Sequence, residues 1–183
     1  MAQSRIGRRP VDLPDKVTVT WQEGQLTVKG PKGELRQSIP AGVTVSVEGR
    51  RAVVTAPDTL GRARKSYHGL VRALLAGMVR GVTEGYEKKL QIQGVGYSFR
   101  LAENNCVGFK GVFSFDRPFP LPASVKAELS EKDTVLTLRS IDKQVLGRVA
   151  KDIRGLAPAD RYKGKGVRFL GEQITLKARK GAK

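Results

Sequence analysis

The first quarter of the chain alternates apolar and polar residues with the two-residue period of half-buried strands. Val17-Thr18-Val19-Thr20-Trp21 is followed by Gln25-Leu26-Thr27-Val28-Lys29, then by the turn Gly30-Pro31-Lys32-Gly33. In that turn Pro presets one backbone angle and Gly supplies the positive one. Val43, Val45 and Val47 alternate with polar partners, Gly49 turns the chain, and Ala52-Val53-Val54-Thr55 returns. The period then changes. From Ala63 to Val79, Leu70, Ala73, Leu74 and Met78 fall at helical spacing, and Gly81 and Gly85 end the pattern, which predicts a helix behind an antiparallel meander.

The plan recurs. Ile39-Pro40-Ala41-Gly42-Val43 returns as Leu121-Pro122-Ala123-Ser124-Val125, and Val45 and Val47 map to Ala127 and Leu129. Val53-Val54-Thr55 maps to Val135-Leu136-Thr137, so Pro40 to Pro122 and Val53 to Val135 share one offset, 82 (122 − 40 and 135 − 53). Lys29-Gly30 pairs with Lys110-Gly111 one residue out of register, and a second helix is expected from about Asp142 to Leu156, with Val145, Val149 and Ile153 at four-residue steps. The expected fold is α+β: two tandem duplicated domains, each an antiparallel sheet with a helix packed on one face, plus basic terminal extensions. The first repeat with its basic arm is expected over 1–82 and the second over 83–183, joined near Gly81 to Glu87.

Charge changes the picture from fold to partner. The 183 residues carry 34 Lys and Arg against 17 Asp and Glu, a formal net charge of +17. Such an imbalance repels itself in a compact body, and nucleic acid is the commonest polyanion that neutralises it. The apolar share of 39 % and aromatic share of 6 % favour two thin cores over one thick one. No stretch approaches the roughly 20 apolar residues of a spanning helix, so a membrane partner is not expected. The start of the sequence has basic residues without an apolar run behind them, and the expected compartment is the cytoplasm.

Chemistry is short of groups. One histidine, His68, and one cysteine, Cys106, lie in different repeats, and the acidic residues are scattered. Gly94-Val95-Gly96 lacks a third glycine and opens no helix, and Gly30-Pro31-Lys32-Gly33 lacks the spacing of a phosphate-binding loop. No enzyme, metal, cofactor or small-molecule substrate is expected; His68 reads as a polar or packing residue near the start of a helix rather than a catalytic one.

Binding groups are plentiful. From Arg161 onward come Arg161, Lys163, Lys165, Arg168, Lys177, Arg179, Lys180 and Lys183, with Glu172 alone opposing them. Within that run, Tyr162-Lys163-Gly164-Lys165-Gly166-Val167-Arg168-Phe169 interleaves cations with glycines that let backbone approach a phosphate chain. Phe169 reads as sheet packing, while Tyr162 is open to stacking on an unpaired base or to packing. Small residues between cations in the final stretch describe an extension that orders on RNA. Gly94, Gly96 and Tyr97 form a second candidate, because glycine inside a strand pattern marks a bulge or a close backbone approach, either to RNA or to the neighbouring repeat. Arg62, Arg64, Lys65, Arg72 and Arg80 on the first helix fit a solvated face and an RNA-contacting face equally.

Ser4-Arg5-Ile6-Gly7 with Pro10, Thr27 to Leu35, His68-Gly69-Leu70 with Arg72, Gly94-Val95-Gly96-Tyr97, Ile141-Asp142-Lys143-Gln144 and Tyr162-Lys163-Gly164-Lys165-Gly166 occur in an order that resembles the bacterial form of large-subunit ribosomal protein L-six, from Ser4 to about Lys177. The resemblance implies two duplicated domains and no catalysis. It further implies binding to large-subunit ribosomal RNA, chiefly through the second domain and C-terminal extension, near the sarcin–ricin loop and the stalk base where translation factors dock beside neighbouring ribosomal proteins. Carried over by position, the RNA-facing residues are Tyr162, Lys163, Gly164, Lys165 and Gly166, with Gly94, Gly96 and Tyr97 as a second patch; Arg168, Lys177, Arg179 and Lys180 complete the set. Two blocks depart from the family pattern. Pro158-Ala159-Asp160-Arg161 replaces a Pro-acidic-Pro run, and Val112-Phe113-Ser114-Phe115-Asp116 replaces a Gly-Tyr-Ser-His-Pro block, where alternating Phe113 and Phe115 are expected to preserve the sheet.

Overall fold

The computed structural model describes residues 4–22, 24–57, 63–102, 105–115, 117–130 and 132–177. The chain divides into two compact units, Met1–Gly85 with Ile141–Lys143, and Tyr86–Ser140 with Gln144–Lys183.

The first unit runs β1 (Val11–Asp12), β2 (Thr18–Gln22), β3 (Gln25–Gly30), β4 (Gly33–Ser38), β5 (Thr44–Glu48), β6 (Arg51–Thr55) and α1 (Ala63–Thr83). The second runs β7 (Tyr86–Gln93), β8 (Ser98–Ala102), β9 (Cys106–Lys110), β10 (Phe119–Pro120), β11 (Val125–Ser130), β12 (Val135–Ser140), α2 (Lys143–Leu156) and β13 (Gly166–Phe169). Each unit holds two antiparallel sheets rather than the single sheet expected. The first has β2-β3-β4 and β1-β6-β5; the second has β8-β9-β10 and β11-β12-β7-β13. The duplication is therefore one of topology, with β13 added on the free side of β7. Proline accounts for the division into sheets. Pro40 lies between β4 and β5, and in the second unit Pro120 is the last residue of β10 and Pro122 lies between β10 and β11; without an N–H these residues cannot carry a ladder onward.

The constant offset of 82 holds only as far as the outgoing strand. Glu48 pairs with Arg51 across a two-residue loop, whereas Ser130 pairs with Val135 across four residues. Buried Ala52 and Val54 consequently occupy the places of Leu136 and Leu138, an offset of 84 (136 − 52 and 138 − 54). A two-residue slip keeps every side chain on its face, so alternation alone cannot detect it.

Leu26 and Val28 of β3, Ala52 and Val54 of β6, and Val71, Leu75, Met78, Val79 and Val82 of α1 form the first core. The buried stripe of α1 is thus 71/75/78/79/82, not the 70/73/74/78 expected; Leu70 is 46 % exposed. The helix also runs through Gly81 to Thr83 and is closed by Gly85, whose φ of 80° and N–H bond to the Arg80 carbonyl (3.2 Å) form a left-handed cap. The β3–β4 turn docks on that end. Lys32 donates its N–H to Val82 O (3.0 Å) and its ammonium to Glu84 O, placing a cation at the negative end of the helix dipole.

The second core gathers Leu90 and Ile92 of β7, Phe99, Phe109, Leu136 and Leu138 with Leu146, Val149, Ala150 and Ile153 of α2 and Val167 of β13. Residues 111–115 form no strand: Phe113 packs edge-on against Phe109 (5.8 Å) and Phe115 is exposed, and the β8-β9-β10 sheet stands without them. On the sheet surface Arg139 of β12 reaches Glu87 (2.8 Å) and Glu128 (3.1 Å). Hydrogen bonds from Arg139 and then Lys89 hold the Glu87 carboxyl below its usual range, and Glu87 raises Arg139 in turn. Among the described residues no helix is long and apolar enough to cross a membrane.

Candidate nucleic-acid interface

The chain leaves α2 at Leu156, loops back, and returns as β13 beside β7. Asp160 organises this loop. Its N–H donates to Lys165 O (2.8 Å), its carbonyl accepts from Gly164 N–H (2.9 Å), and its carboxylate accepts from Lys163 N–H (3.0 Å). With the backbone polar groups turned inward on one aspartate, the side chains of Arg161, Tyr162, Lys163 and Lys165 are left exposed, Tyr162 by 60 %. The departure at Pro158-Ala159-Asp160-Arg161 therefore keeps the carboxylate that builds the turn.

The two glycines of the motif differ. Gly164 (φ 69°) has ordinary space around it. Gly166 (φ 132°) is buried, and a Cβ there would lie 2.6 Å from Pro158 O and 2.9 Å from Ala157 O. Its need for glycine is met inside the fold, where Val167 N–H bonds to Ala157 O (2.7 Å).

Beyond β13 the chain turns at Glu172, whose carboxylate accepts from Phe169 N–H (3.0 Å) and pairs with Arg154 of α2. It then runs back until Lys177 N–H reaches Arg161 O (2.9 Å). Lys177 is thereby brought beside the loop. A groove of about 650 Å³ opens between this returning segment and α2, lined among others by Lys151, Arg154, Arg161 and Lys177. Lys151 and Arg154 were not among the expected residues. Their signal was the three-residue step of Arg148, Lys151 and Arg154, the neighbour spacing on a helix. Phe169 is half-buried, with Lys88 Nζ 4.9 Å and the Arg154 guanidinium 5.4 Å from its ring centroid, which is the packing role expected of it. Arg168 is half-buried on β13 opposite Gln91. Arg179 and Lys180 lie outside the described residues.

Register brings the second candidate patch alongside. Gly166 pairs with Gln93, the last residue of β7, and Gly94 follows at once. Within this patch Tyr97 is no free stacking platform. Its ring is half-buried on the core and lies against Gly94, where a Cβ would be 2.6 Å from it. Gly96 (φ 77°) is open, and Val95 beside it is 93 % exposed. On the first helix Arg72 turns inward to backbone, donating to Arg9 O (3.2 Å) and Pro10 O (3.4 Å), while Lys65 and Arg80 are exposed. Arg62 and the Arg64 side chain lie outside the described residues. His68 is buried, as expected of a packing residue. Among the described residues no group of three His, Cys, Asp or Glu gathers as metal ligands would.

A family model described as ribosomal protein L6 matches residues 13–85, within the first unit. Relatives extend the likeness across both units. The large ribosomal subunit protein uL6 of Thermodesulfovibrio yellowstonii is 42 % identical over 180 residues, covering 98 % of this chain and 99 % of that one. The same protein of a Picosynechococcus species and that of Trichlorobacter lovleyi are each 43 % identical with the same coverage. This chain belongs to the ribosomal protein L6 family. It is an L6 protein of the bacterial type, structural rather than enzymatic, and in it the Asp160-centred loop and the returning segment bring Arg161, Lys163, Lys165 and Lys177 together on the second unit.

Proposed function

We propose that this L6-family protein is a structural constituent of the large ribosomal subunit, held on large-subunit ribosomal RNA by the loop at 160–165 and the segment that returns to Lys177. The observation that carries the reading is the Asp160 turn. It satisfies its own backbone internally and leaves Arg161, Lys163 and Lys165 exposed with Lys177 alongside, a preformed cluster suited to phosphates. Exposed Tyr162 offers a ring to an unpaired base, and the open backbone at Gly96 offers a second contact one strand away. The names of the relatives support the subunit; the family resemblance supports a place near the sarcin–ricin loop, beside stalk-base proteins and docking translation factors, in the cytoplasm.

Replacing Lys163 and Lys165 together with Ala is expected to weaken binding to protein-free large-subunit ribosomal RNA. It should also flatten the slope of log affinity against log salt by about 0.7–0.9 for each phosphate no longer neutralised. A variant with the wild-type slope would remove these lysines from the interface. Ultraviolet crosslinking in cells, with sequencing of the attached RNA, then tests the location.

A further inference from the structure

Ser4, Gly7, His68, Gly69 and Arg72 are distant in sequence and have no part in the second-unit loop. In the first unit they meet. Residues 4–9 form a compact turn closed by Arg8 N–H to Ser4 O (3.2 Å), Arg9 N–H to Ile6 O (3.2 Å) and Gly7 N–H to Ser4 Oγ (3.3 Å). The turn is pressed onto the start of α1. Gly7 is buried, and a Cβ there would sit 2.3 Å from His68 Cγ; one at Gly69 would sit 3.1 Å from Ser4 Oγ. Arg72 ties down the exit of the turn through the Arg9 and Pro10 carbonyls, and β1 then pairs with β6.

This attachment is made at a cost. His68 is 2 % exposed with Nε2 2.9 Å from Val54 O, but its buried Nδ1 has no hydrogen-bond partner among the described residues. An unsatisfied buried nitrogen is tolerated where the position of the ring matters more than its pairing. What the ring holds in place is a turn whose Arg5, Arg8 and Arg9 are all exposed. Among the described residues none of the three is ion-paired. The nearest carboxylates in sequence, Asp12 and Asp15, are engaged with Arg51 (3.2 Å) and Arg50 (2.6 Å). A solubilising arm would need only the charges. Buried glycine, buried histidine and a tethering arginine are needed only if the charges must stand in fixed positions.

We infer that the folded N-terminal turn is a second phosphate-binding face, on the first unit. Arg5, Arg8 and Arg9 contact the sugar–phosphate backbone of RNA, and Gly7, His68 and Arg72 are positioning residues that hold the turn ready. The inference rests on the reading of the chain as a binder of large-subunit ribosomal RNA but concerns a different unit and different residues. Preorganisation is its physical content: an ordered turn gives up little conformational freedom on binding, whereas a free arm must be ordered at that moment.

The experiment measures affinity of the full-length protein for protein-free large-subunit ribosomal RNA across a potassium chloride series. The variant R5Q/R8Q/R9Q should lower the salt slope by about 2–3 units, at roughly 0.7–0.9 for each phosphate no longer neutralised. Gly7→Ala keeps all three charges but pushes the turn off His68. It should weaken binding by roughly tenfold while leaving the slope near wild type, because the three arginines still reach phosphate and only their ordering becomes costly. Arg72→Lys, which keeps the charge and loses the two-carbonyl tether without touching the core, should repeat that behaviour if Gly7→Ala compromises folding by thermal melt. A triple variant with the wild-type slope overturns the inference, as does wild-type affinity in both Gly7→Ala and Arg72→Lys. If K163A/K165A flattens the slope and R5Q/R8Q/R9Q does not, the second-unit reading stands and this inference alone fails; if the wild-type protein does not bind the RNA, both fall.

Discussion

Single residues in this protein show how one sequence signal divides into different physical causes. Gly94, Gly96, Gly164 and Gly166 all read as places where backbone approaches something closely. Gly96 is open to the surface at φ 77°, whereas Gly166, at φ 132°, faces the Pro158 and Ala157 carbonyls. Alanine substitution separates them. Gly96→Ala should cost about 1 kcal/mol, the backbone strain of a positive φ alone. Gly166→Ala adds a collision with backbone that cannot swing away, and should cost about 2–4 kcal/mol in chemical denaturation of the second unit. Equal costs would mean that the loop relaxes around Gly166 freely. Which glycine does which was not legible, because glycine permits a conformation without naming its neighbour. The aspartate that builds the loop was legible as a residue but not as an organiser: Asp160 bonds to Lys163, Gly164 and Lys165, and only the closed turn reveals that convergence.

At the scale of elements, strand alternation is legible in the sequence and helix orientation is not. In the first unit β2, β3, β5 and β6, the turn at Gly30–Gly33 and both helices of the chain fall where the periods put them, whereas the two-residue β1 and the polar β4 (Gly33–Ser38) carry too little apolar alternation to be expected. On α1 apolar residues nearly encircle the helix, so Leu70, Ala73, Leu74 and Met78 made as good a stripe as Val71, Leu75, Met78, Val79 and Val82. A stripe chosen one residue early is rotated by about 100°, and only packing against β3 and β6 decides. The choice has a measurable consequence. Leu75→Ala, at a fully buried position, should destabilise the first unit by about 2–5 kcal/mol, while Leu70→Ala, 46 % exposed, should stay within about 1 kcal/mol. Urea titrations of the two variants against wild type check the orientation, and a larger loss at Leu70 would reverse it. The unequal β5–β6 and β11–β12 hairpins were hidden for a related reason: two extra loop residues leave face and polarity unchanged.

For the whole molecule, one quantity drives both the expected partner and the behaviour of the free protein, and it drives them in opposite directions with salt. The net charge is +17, from 34 cations against 17 carboxylates, and among the described residues Arg36–Glu34, Arg50–Asp15, Arg51–Asp12, Lys89–Glu87, Arg154–Glu172 and Arg139 with Glu87 and Glu128 are paired at the surface. Such exposed pairs contribute about 0–1 kcal/mol each and weaken as salt is added, which lowers stability. Repulsion among the remaining cations also weakens, which raises it. Screening acts over a Debye length of about 10 Å at 0.1 M salt, so it relieves every like-charged pair beyond that distance while the close pairs at about 3 Å are affected less. Repulsion therefore dominates. Thermal unfolding of the RNA-free protein is expected to shift upward as potassium chloride rises from about 0.01 to about 0.2 M, by about 2–4 °C for each kcal/mol of repulsion relieved. Over the same range affinity for ribosomal RNA should fall, because counterions released on binding are then returned to a saltier solution. Calorimetry and binding titrations on one preparation give both trends. A melting temperature that falls with salt would show that the carboxylates outweigh the excess cations in the folded state, and would remove self-repulsion as the reason this chain requires a polyanionic partner.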